Sequence, residues 1–279
     1  MSMSQPTQAE KATTFRALHE RDRGFIIPNP WDAGSARLLA GLGFEALATT
    51  SSGFAETLGR CDGEVRLDEK LEHCRVVCAA TSLPVSADME RGFSDDPVGA
   101  ASAMVQAAEA GVVGGSIEDF SGAESETIYE LEHAVERVQA VAEAVRRLPY
   151  PFTLTARAEN FLHGREDLDD TIRRLQRFEA AGADVLYAPG LTTLDQVRTV
   201  VGAVHKPVNV LGPMVEGATL DLLSEAGVRR VSIGGALARA ALFPVLEAAK
   251  EMSERGSFDW RSKLVSGKEI ARLFRLAQS

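Results

Sequence analysis

The chain has 279 residues, 45% of them hydrophobic and 25% charged, which suits a globular protein with a substantial core and excludes a disordered or fibrous one. Forty acidic against thirty basic residues give a net charge of -10 with no Lys/Arg cluster to offset it, so nucleic acid and membrane are excluded as partners. Three cysteines are an odd number for a disulfide framework, and no apolar run reaches signal or membrane-spanning length; a cytoplasmic protein is expected.

In chain order, a polar tail leads to a short predicted helix from Thr14 to Asp22, then a buried strand over 24–28 that ends at Asn29-Pro30-Trp31-Asp32. A helix from Ala33 to Ala40 stops at Gly41 and Gly43, and a second strand over 46–50 opens into a Ser51-Ser52-Gly53 turn. The alternation then repeats. Predicted helices over 67–80, 96–110, 125–147, 168–181, 194–204 and 217–226 each precede a short apolar strand, over 84–87, 114–117, 152–156, 184–187, 207–211 and 230–233. Gly111, Gly182 and Gly227 recur where a helix hands over to a strand, as left-handed caps do. A helix over 236–252, a break at Gly256-Ser257 and a further helical stretch over 260–276 end the chain.

Helices alternating with short apolar strands imply right-handed βαβ units and a parallel sheet. About eight strands in a chain near the usual ~250 residues favour closure into a (β/α)8 TIM barrel. The division expected is a catalytic barrel over 1–255 and a helical extension over 256–279 that one barrel does not need.

Barrels place their chemistry at the carboxyl ends of the strands, and the polar clusters of this sequence fall there. Asn29 and Asp32 follow the first strand, Thr50, Ser51 and Ser52 the second, Asp88 and Glu90 the third, Glu118 and Asp119 the fourth, Arg157 and Glu159 the fifth; Asp62 lies on the loop after the second. The period of two puts Asp88 and Glu90 on one face, as a metal pair, an acid/base pair or a strand end carrying solvated charges. Converging carboxylates raise one another's pKa unless a cation sits among them. Oxygen ligands without His or Cys at zinc spacing favour Mg2+, with Mn2+ as a substitute. Asp88 is assigned the direct metal contact, and Glu90, Glu118 and Asp62 a contact through water or a supporting one. Arg157 could grip a substrate carboxylate through its planar fork, or pair with Glu159 or Asp88 at the rim.

The ordered motifs Asn29-x-Trp31-Asp32-x-x-Ser35-Ala36, Thr49-Thr50-Ser51-Ser52-Gly53, Ala87-Asp88-x-Glu90-x-Gly92, Ile117-Glu118-Asp119 and Ala156-Arg157-x-Glu159 resemble those of the isocitrate lyase/phosphoenolpyruvate mutase superfamily, over roughly residues 15–246. The resemblance implies a Mg2+-dependent lyase that makes or breaks a carbon-carbon bond next to an enolate in a small 2-oxo or 2-hydroxy di- or tricarboxylate. It implies Asp88, Glu90 and Glu118 at the metal, Arg157, Glu118 and Asp62 in catalysis, and Trp31 with Thr50, Ser51, Ser52, Gly53 and Arg157 at the substrate. It also implies a homodimer or homotetramer that exchanges the C-terminal helix between subunits. The lyase branch carries a Lys-Lys/Arg-Cys-Gly-His loop after the fourth strand, whereas residues 119–127 here contain no Cys, Lys or His, and the lysine of phosphonate-handling members is absent too. Decarboxylation or hydrolysis of an oxaloacetate-like acid, which needs the loop acid less, gains by that departure. Glu124 and Tyr129 are the substitutes at hand in that region, each also readable as a surface residue. Carbon-phosphorus chemistry on a phosphonopyruvate-like acid and carboxylate binding without turnover are the alternatives.

Overall fold

The structure, a computed structural model, describes residues 5–122 and 128–277. Strands β1 (Phe25–Ile27), β2 (Leu47–Ala48), β3 (Val85–Asp88), β4 (Gly114–Glu118), β5 (Thr153–Arg157), β6 (Val185–Tyr187), β7 (Val208–Leu211) and β8 (Arg230–Ser232) form one parallel eight-stranded sheet, in the order β1-β8-β7-β6-β5-β4-β3-β2. The Ala48 N–H reaches the Pro28 carbonyl at 3.1 Å, and Asn29 Nδ2 the Thr49 carbonyl at 3.1 Å, so the two edges meet and the sheet curls into the expected (β/α)8 barrel. Around it run α1 (Gln8–His19), α2 (Ala33–Gly41), α3 (Ser51–Thr57), α4 (Leu67–Ala80), α5 (Pro97–Glu109) and α6 (Leu131–Val145). They are followed by α7 (Leu168–Ala181), α8 (Leu194–Ala203), α9 (Leu220–Glu225), α10 (Ala236–Arg255) and α11 (Gly267–Leu276). Gly111, Gly182 and Gly227 adopt φ of 107°, 107° and 91°, the left-handed turns the sequence called for.

Four differences from the expected boundaries stand out. The first helix starts at Gln8, because Thr7 and Glu10 form a capping box inside what reads as a polar tail. Ser51-Ser52-Gly53 is not a turn but the first turn of α3, capped by the Thr50 hydroxyl. Helix α6 begins at Leu131, and the Ser125 start expected for it lies outside the described residues. The last helical stretch is broken, a 3-10 turn over Asp259–Lys263 preceding α11.

These elements leave one open end. Phe15 and Leu18 of α1 pack with Phe25, Ala46 and Val113, at or next to the first residues of their strands, and stopper the amino-terminal mouth. The main core lies between the outer face of the sheet and the helices, with Leu71, Met104, Val138 and Phe178 among its members. Inside the barrel, alternate positions are polar: Ser86 and Asp88 on β3, Ser116 on β4, Thr155 and Arg157 on β5, Asn209 on β7, Arg230 and Ser232 on β8. Arg230 is buried with them and donates to Asn209 Oδ1 at 2.9 Å and Thr155 Oγ1 at 2.9 Å. A barrel filled with branched apolar side chains would offer no such polar shaft below its rim.

The carboxyl end of the chain returns to the barrel at α2, where Gly41 lies against the Leu273 backbone of α11. Helix α10 has only Ala238 buried and turns Leu242, Phe243, Val245 and Leu246 outward. Among the described residues no helix is long and apolar enough to cross a membrane.

A Cβ at position 41 would stand 2.1 Å from the Leu273 carbonyl oxygen, so Gly41→Ala must push α11 off α2. The expected cost is about 1–3 kcal/mol, read as a lowered Tm with faster hydrogen exchange over 267–276. Gly202, within α8 and with nothing near its Cβ direction, is the contrast: Gly202→Ala should raise Tm by relieving backbone entropy worth ~1 kcal/mol.

Candidate active site

Asp88 is the last residue of β3, and the chain turns sharply after it: Glu90 has φ 49°, Gly92 φ 76° and Phe93 φ 56°. Glu90 therefore does not share a face with Asp88 through strand alternation; the strand has ended, and a left-handed turn sets the direction of its side chain. A non-glycine residue in that region costs of order 1–3 kcal/mol unless its surroundings hold it. Buried Arg137 does so from α6, donating to the carbonyls of Arg91, Ser94 and Asp95.

Arg157, at the end of β5, stands among the carboxylates. Its Nη1 is 2.9 Å from Asp88 Oδ1 and 3.2 Å from Glu118 Oε2, and its Nε is 2.7 Å from Glu159 Oε1. Both pairings open to it in the sequence, with Glu159 and with Asp88, are made together. Burial alone would lower the Arg157 pKa, but the charges of Glu159, Glu118 and Asp88 outweigh it and hold the guanidinium charged. Glu159 is anchored in turn: its N–H donates to Asp119 Oδ1 at 2.8 Å, and Asp119 Oδ2 lies 3.1 Å from Arg174 Nη1.

Asp88 Oδ2 accepts the Ser51 N–H at 3.0 Å, and the Asp88 N–H donates to Thr49 Oγ1 at 2.9 Å. The same hydroxyl accepts from Lys70 Nζ at 3.1 Å. Lys70 is a second buried cation that the sequence reading passed over; its signal was a lysine on the buried stripe of α4, in line with Leu71, Cys74 and Val77. Burial would raise the Asp88 pKa, yet Arg157, Lys70 and the Ser51 N–H together bring it below its ordinary value. The neighbouring acids go the other way. Glu90 is pushed up to about 7 by burial and by Asp88, Glu118 well above its ordinary value by burial and by Glu159, Asp88 and Glu90, and Asp62 upward by burial and Asp88.

Five carboxyl groups, Asp62, Asp88, Glu90, Glu118 and Glu159, thus crowd around Arg157 with Lys70 behind Asp88, and among the described residues Glu90 Oε1 is buried without a hydrogen-bond partner. That surplus, with an orphaned oxygen, fits a divalent cation. Among the described residues no three His, Cys, Asp or Glu side chains are close enough to cage a metal unaided. Mg2+ suits such a site, because it keeps several waters and is held by one or two carboxylates.

A cavity of about 310 Å³ opens at this rim, lined by Thr50, Ser51, Ser52, Asp62, Asp88 and Arg157 and reaching down to Ser116, Asn209 and Arg230. Of the amide groups in the Thr50–Gly53 segment, that of Ser51 is spent on Asp88 and that of Gly53 on Thr50 Oγ1, while Thr50, Ser51 and Ser52 line the cavity. Trp31 does not line it; with Phe54 and His73 it lines a separate groove. Asp32 caps α2, and Asn29 Oδ1 takes the N–H groups of Ile233 and Gly234 at 2.9 Å each, which ties the end of β1 to the end of β8. Glu124 lies outside the described residues, and the Tyr129 hydroxyl is turned away to Asp95.

A family model described as phosphoenolpyruvate phosphomutase matches residues 15–253. A solved structure from Burkholderia cenocepacia J2315, whose activity is given only as lyase/mutase, is 55% identical with TM-score 0.93, covering 96% of each chain. The oxaloacetate decarboxylase of Bradyrhizobium diazoefficiens is 29% identical over 95% of both chains. The fold is also shared with a phosphonopyruvate hydrolase solved with oxalate and Mg2+, 23% identical over 94% of each chain with TM-score 0.84.

The raised carboxyls would give a bound divalent cation a pH signature. Glu90 binds its extra proton in the folded state between the unfolded value near 4.5 and about 7, so stability of the protein alone falls as pH rises through that window and levels off above it. Mg2+ requires these groups deprotonated and should raise Tm more at pH 8 than at pH 5.5. A thermal melt series of wild type and Asp88→Asn checks both, the variant showing no Mg2+ effect at either pH.

Proposed function

The chain belongs to the isocitrate lyase/phosphoenolpyruvate mutase superfamily, and from that premise we propose that it is a Mg2+-dependent carbon-carbon lyase of the cytoplasm acting on a small 2-oxo or 2-hydroxy acid, with decarboxylation of an oxaloacetate-like dicarboxylate as its reaction. The observation that carries this reading is the charge arrangement at the mouth of the cavity: a guanidinium locked by Asp88, Glu118 and Glu159 beside three hydroxyls, with the pKa values of the Asp62, Glu90 and Glu118 carboxyls all raised by burial and by their crowding around Asp88.

Asp88 would hold Mg2+ directly and Glu90 and Glu118 through water, and the ion would supply positive charge for a 2-oxo acid and for the enolate left by bond cleavage. The chain's own groups do the rest. The Thr50, Ser51 and Ser52 hydroxyls orient the substrate carboxylate, and Arg157 presents a fixed positive charge where oxyanion character grows, at no cost of reorganisation. When the C3–C4 bond of a 2-oxo dicarboxylate breaks, its electron pair enters the enolate and carbon dioxide departs neutral. That departure needs no acid, which suits a loop over 119–127 without Cys, Lys or His. The decarboxylase relative and the oxalate bound in the same-fold hydrolase are in keeping with this chemistry.

The exposed face of α10 is proposed as a contact between copies in a homodimer or homotetramer, because Leu242, Phe243, Val245 and Leu246 are 46%, 64%, 61% and 58% exposed in one chain. Exchange of the C-terminal helices belongs to the same proposal.

Incubation with Mg2+ and a panel of 2-oxo and 2-hydroxy acids, read by mass spectrometry, should convert oxaloacetate to pyruvate. Arg157→Lys, which loses the planar fork, should lower kcat by about 100-fold. No turnover of any panel member would overturn the assignment. Sedimentation should give a dimer or larger, and Phe243→Glu with Leu246→Glu a smaller species.

A further inference from the structure

We propose that Tyr187, at the end of β6, is the catalytic acid that protonates the enolate carbon, in place of an acid on the loop after β4; this rests on the lyase reading above. Every lyase that leaves an enolate must return a proton to carbon, and the groups nearest the loop are committed elsewhere. Tyr129 gives its hydroxyl proton to Asp95. His163 is stacked on Phe120 at 3.9 Å with its Nε2 3.9 Å from Glu159, and does not line the cavity.

Tyr187 does line it. Its register partner on the neighbouring strand is Arg157, whose guanidinium lies 5.2 Å from the centre of the phenol ring. Asp88, Arg157 and Tyr187 therefore face one space, with the cation between the metal-side carboxylate and the phenol.

The hydrogen bonds beneath the ring have a direction. Arg230 can only donate, so Asn209 must offer it Oδ1, at 2.9 Å, and this fixes the amide with Nδ2 toward Ser232 Oγ at 3.0 Å. Ser232 Oγ, already accepting, has its own proton to give and lies 3.5 Å from both the Tyr187 hydroxyl and the Val210 carbonyl. With the Val210 carbonyl as the alternative acceptor, donation to Tyr187 occupies a phenol lone pair, and in either case the phenol proton is left for the cavity; among the described residues no hydrogen bond runs from the Tyr187 hydroxyl to another protein group. Among the described residues Arg230 has no carboxylate partner, so the positive end of this chain is uncompensated and polarises it toward the phenol. Burial pushes Tyr187 up to about 12, so the proton is in place at neutral pH, while the charge of Arg157 favours the phenolate left by its transfer.

The step balances. Cleavage of C3–C4 releases carbon dioxide and leaves its electron pair as the enolate; that pair forms a C3–H bond with the Tyr187 proton, the C2 carbonyl is restored, and the O–H electrons remain on the phenolate. Water entering through the open rim reprotonates it.

Run in reverse, the same acid catalyses proton exchange at the methyl group of pyruvate, which can be followed by NMR in D2O with Mg2+. Wild type should exchange, Tyr129→Phe should exchange equally, and Tyr187→Phe should be slower by about 100-fold with its oxalate Kd within about threefold of wild type. Ser232→Ala, which removes the donor to the phenol, should slow exchange by about tenfold and shift its pH profile, with Ser232→Thr restoring it. Exchange by Tyr187→Phe at the wild-type rate overturns the assignment, as does a loss of oxalate affinity that matches the loss of exchange. Wild type that binds oxalate without exchanging pyruvate overturns Tyr187 alone; wild type that binds no oxalate overturns the lyase reading and Tyr187 with it.

Discussion

A guanidinium confined among carboxylates at the mouth of the barrel is the contact on which the rim depends. Arg157 is bonded to Asp88, Glu118 and Glu159, which come from β3, β4 and the turn after β5, so one side chain ties three adjacent segments together. Such a cluster contributes little net stability, because desolvation offsets most of the attraction, but removing a partner leaves a buried charge alone. Its value lies in placement: Arg157 cannot move toward a substrate without leaving its carboxylates, and a further cation among the carboxylates would favour their ionised forms.

That constraint extends downward. The shaft below the rim is polar where barrels are usually filled with branched side chains, and it ends on Arg230, bonded to Asn209, Thr155 and His19. The His19 pKa is lowered to about 3, by burial first and then by Arg230, so the ring is neutral there and no second charge joins the first. With α1 stoppering the far mouth, the cavity communicates with solvent at one end, and its polarity is organised from the floor to the rim.

The strands, the order of the helices and the placement of polar residues after the strands were legible because each rests on local periodicity and turn chemistry. Helix α4 was predicted residue for residue, since its apolar spacing and its start agree. What escaped were features set by tertiary contacts. Glu90 was placed by strand alternation, but Arg137 from a distant helix holds the chain in a left-handed turn there. Lys70 and Arg230 went unremarked in the sequence, because it is the fold that buries them. Trp31 belongs to a motif whose Asn29 reaches the cavity, yet Trp31 itself lines a neighbouring groove, a placement that no spacing rule supplies.

The central claim is that the carboxylates around Arg157 hold one divalent cation that a 2-oxo acid can chelate. Electron paramagnetic resonance of Mn2+ tests it most directly, because the sharp signal of the free ion disappears on binding. The account predicts loss of signal equivalent to one ion per chain, tighter when oxalate is present and absent in Asp88→Asn. A signal that persists at saturating protein, or that Asp88→Asn quenches as well as wild type, would contradict it.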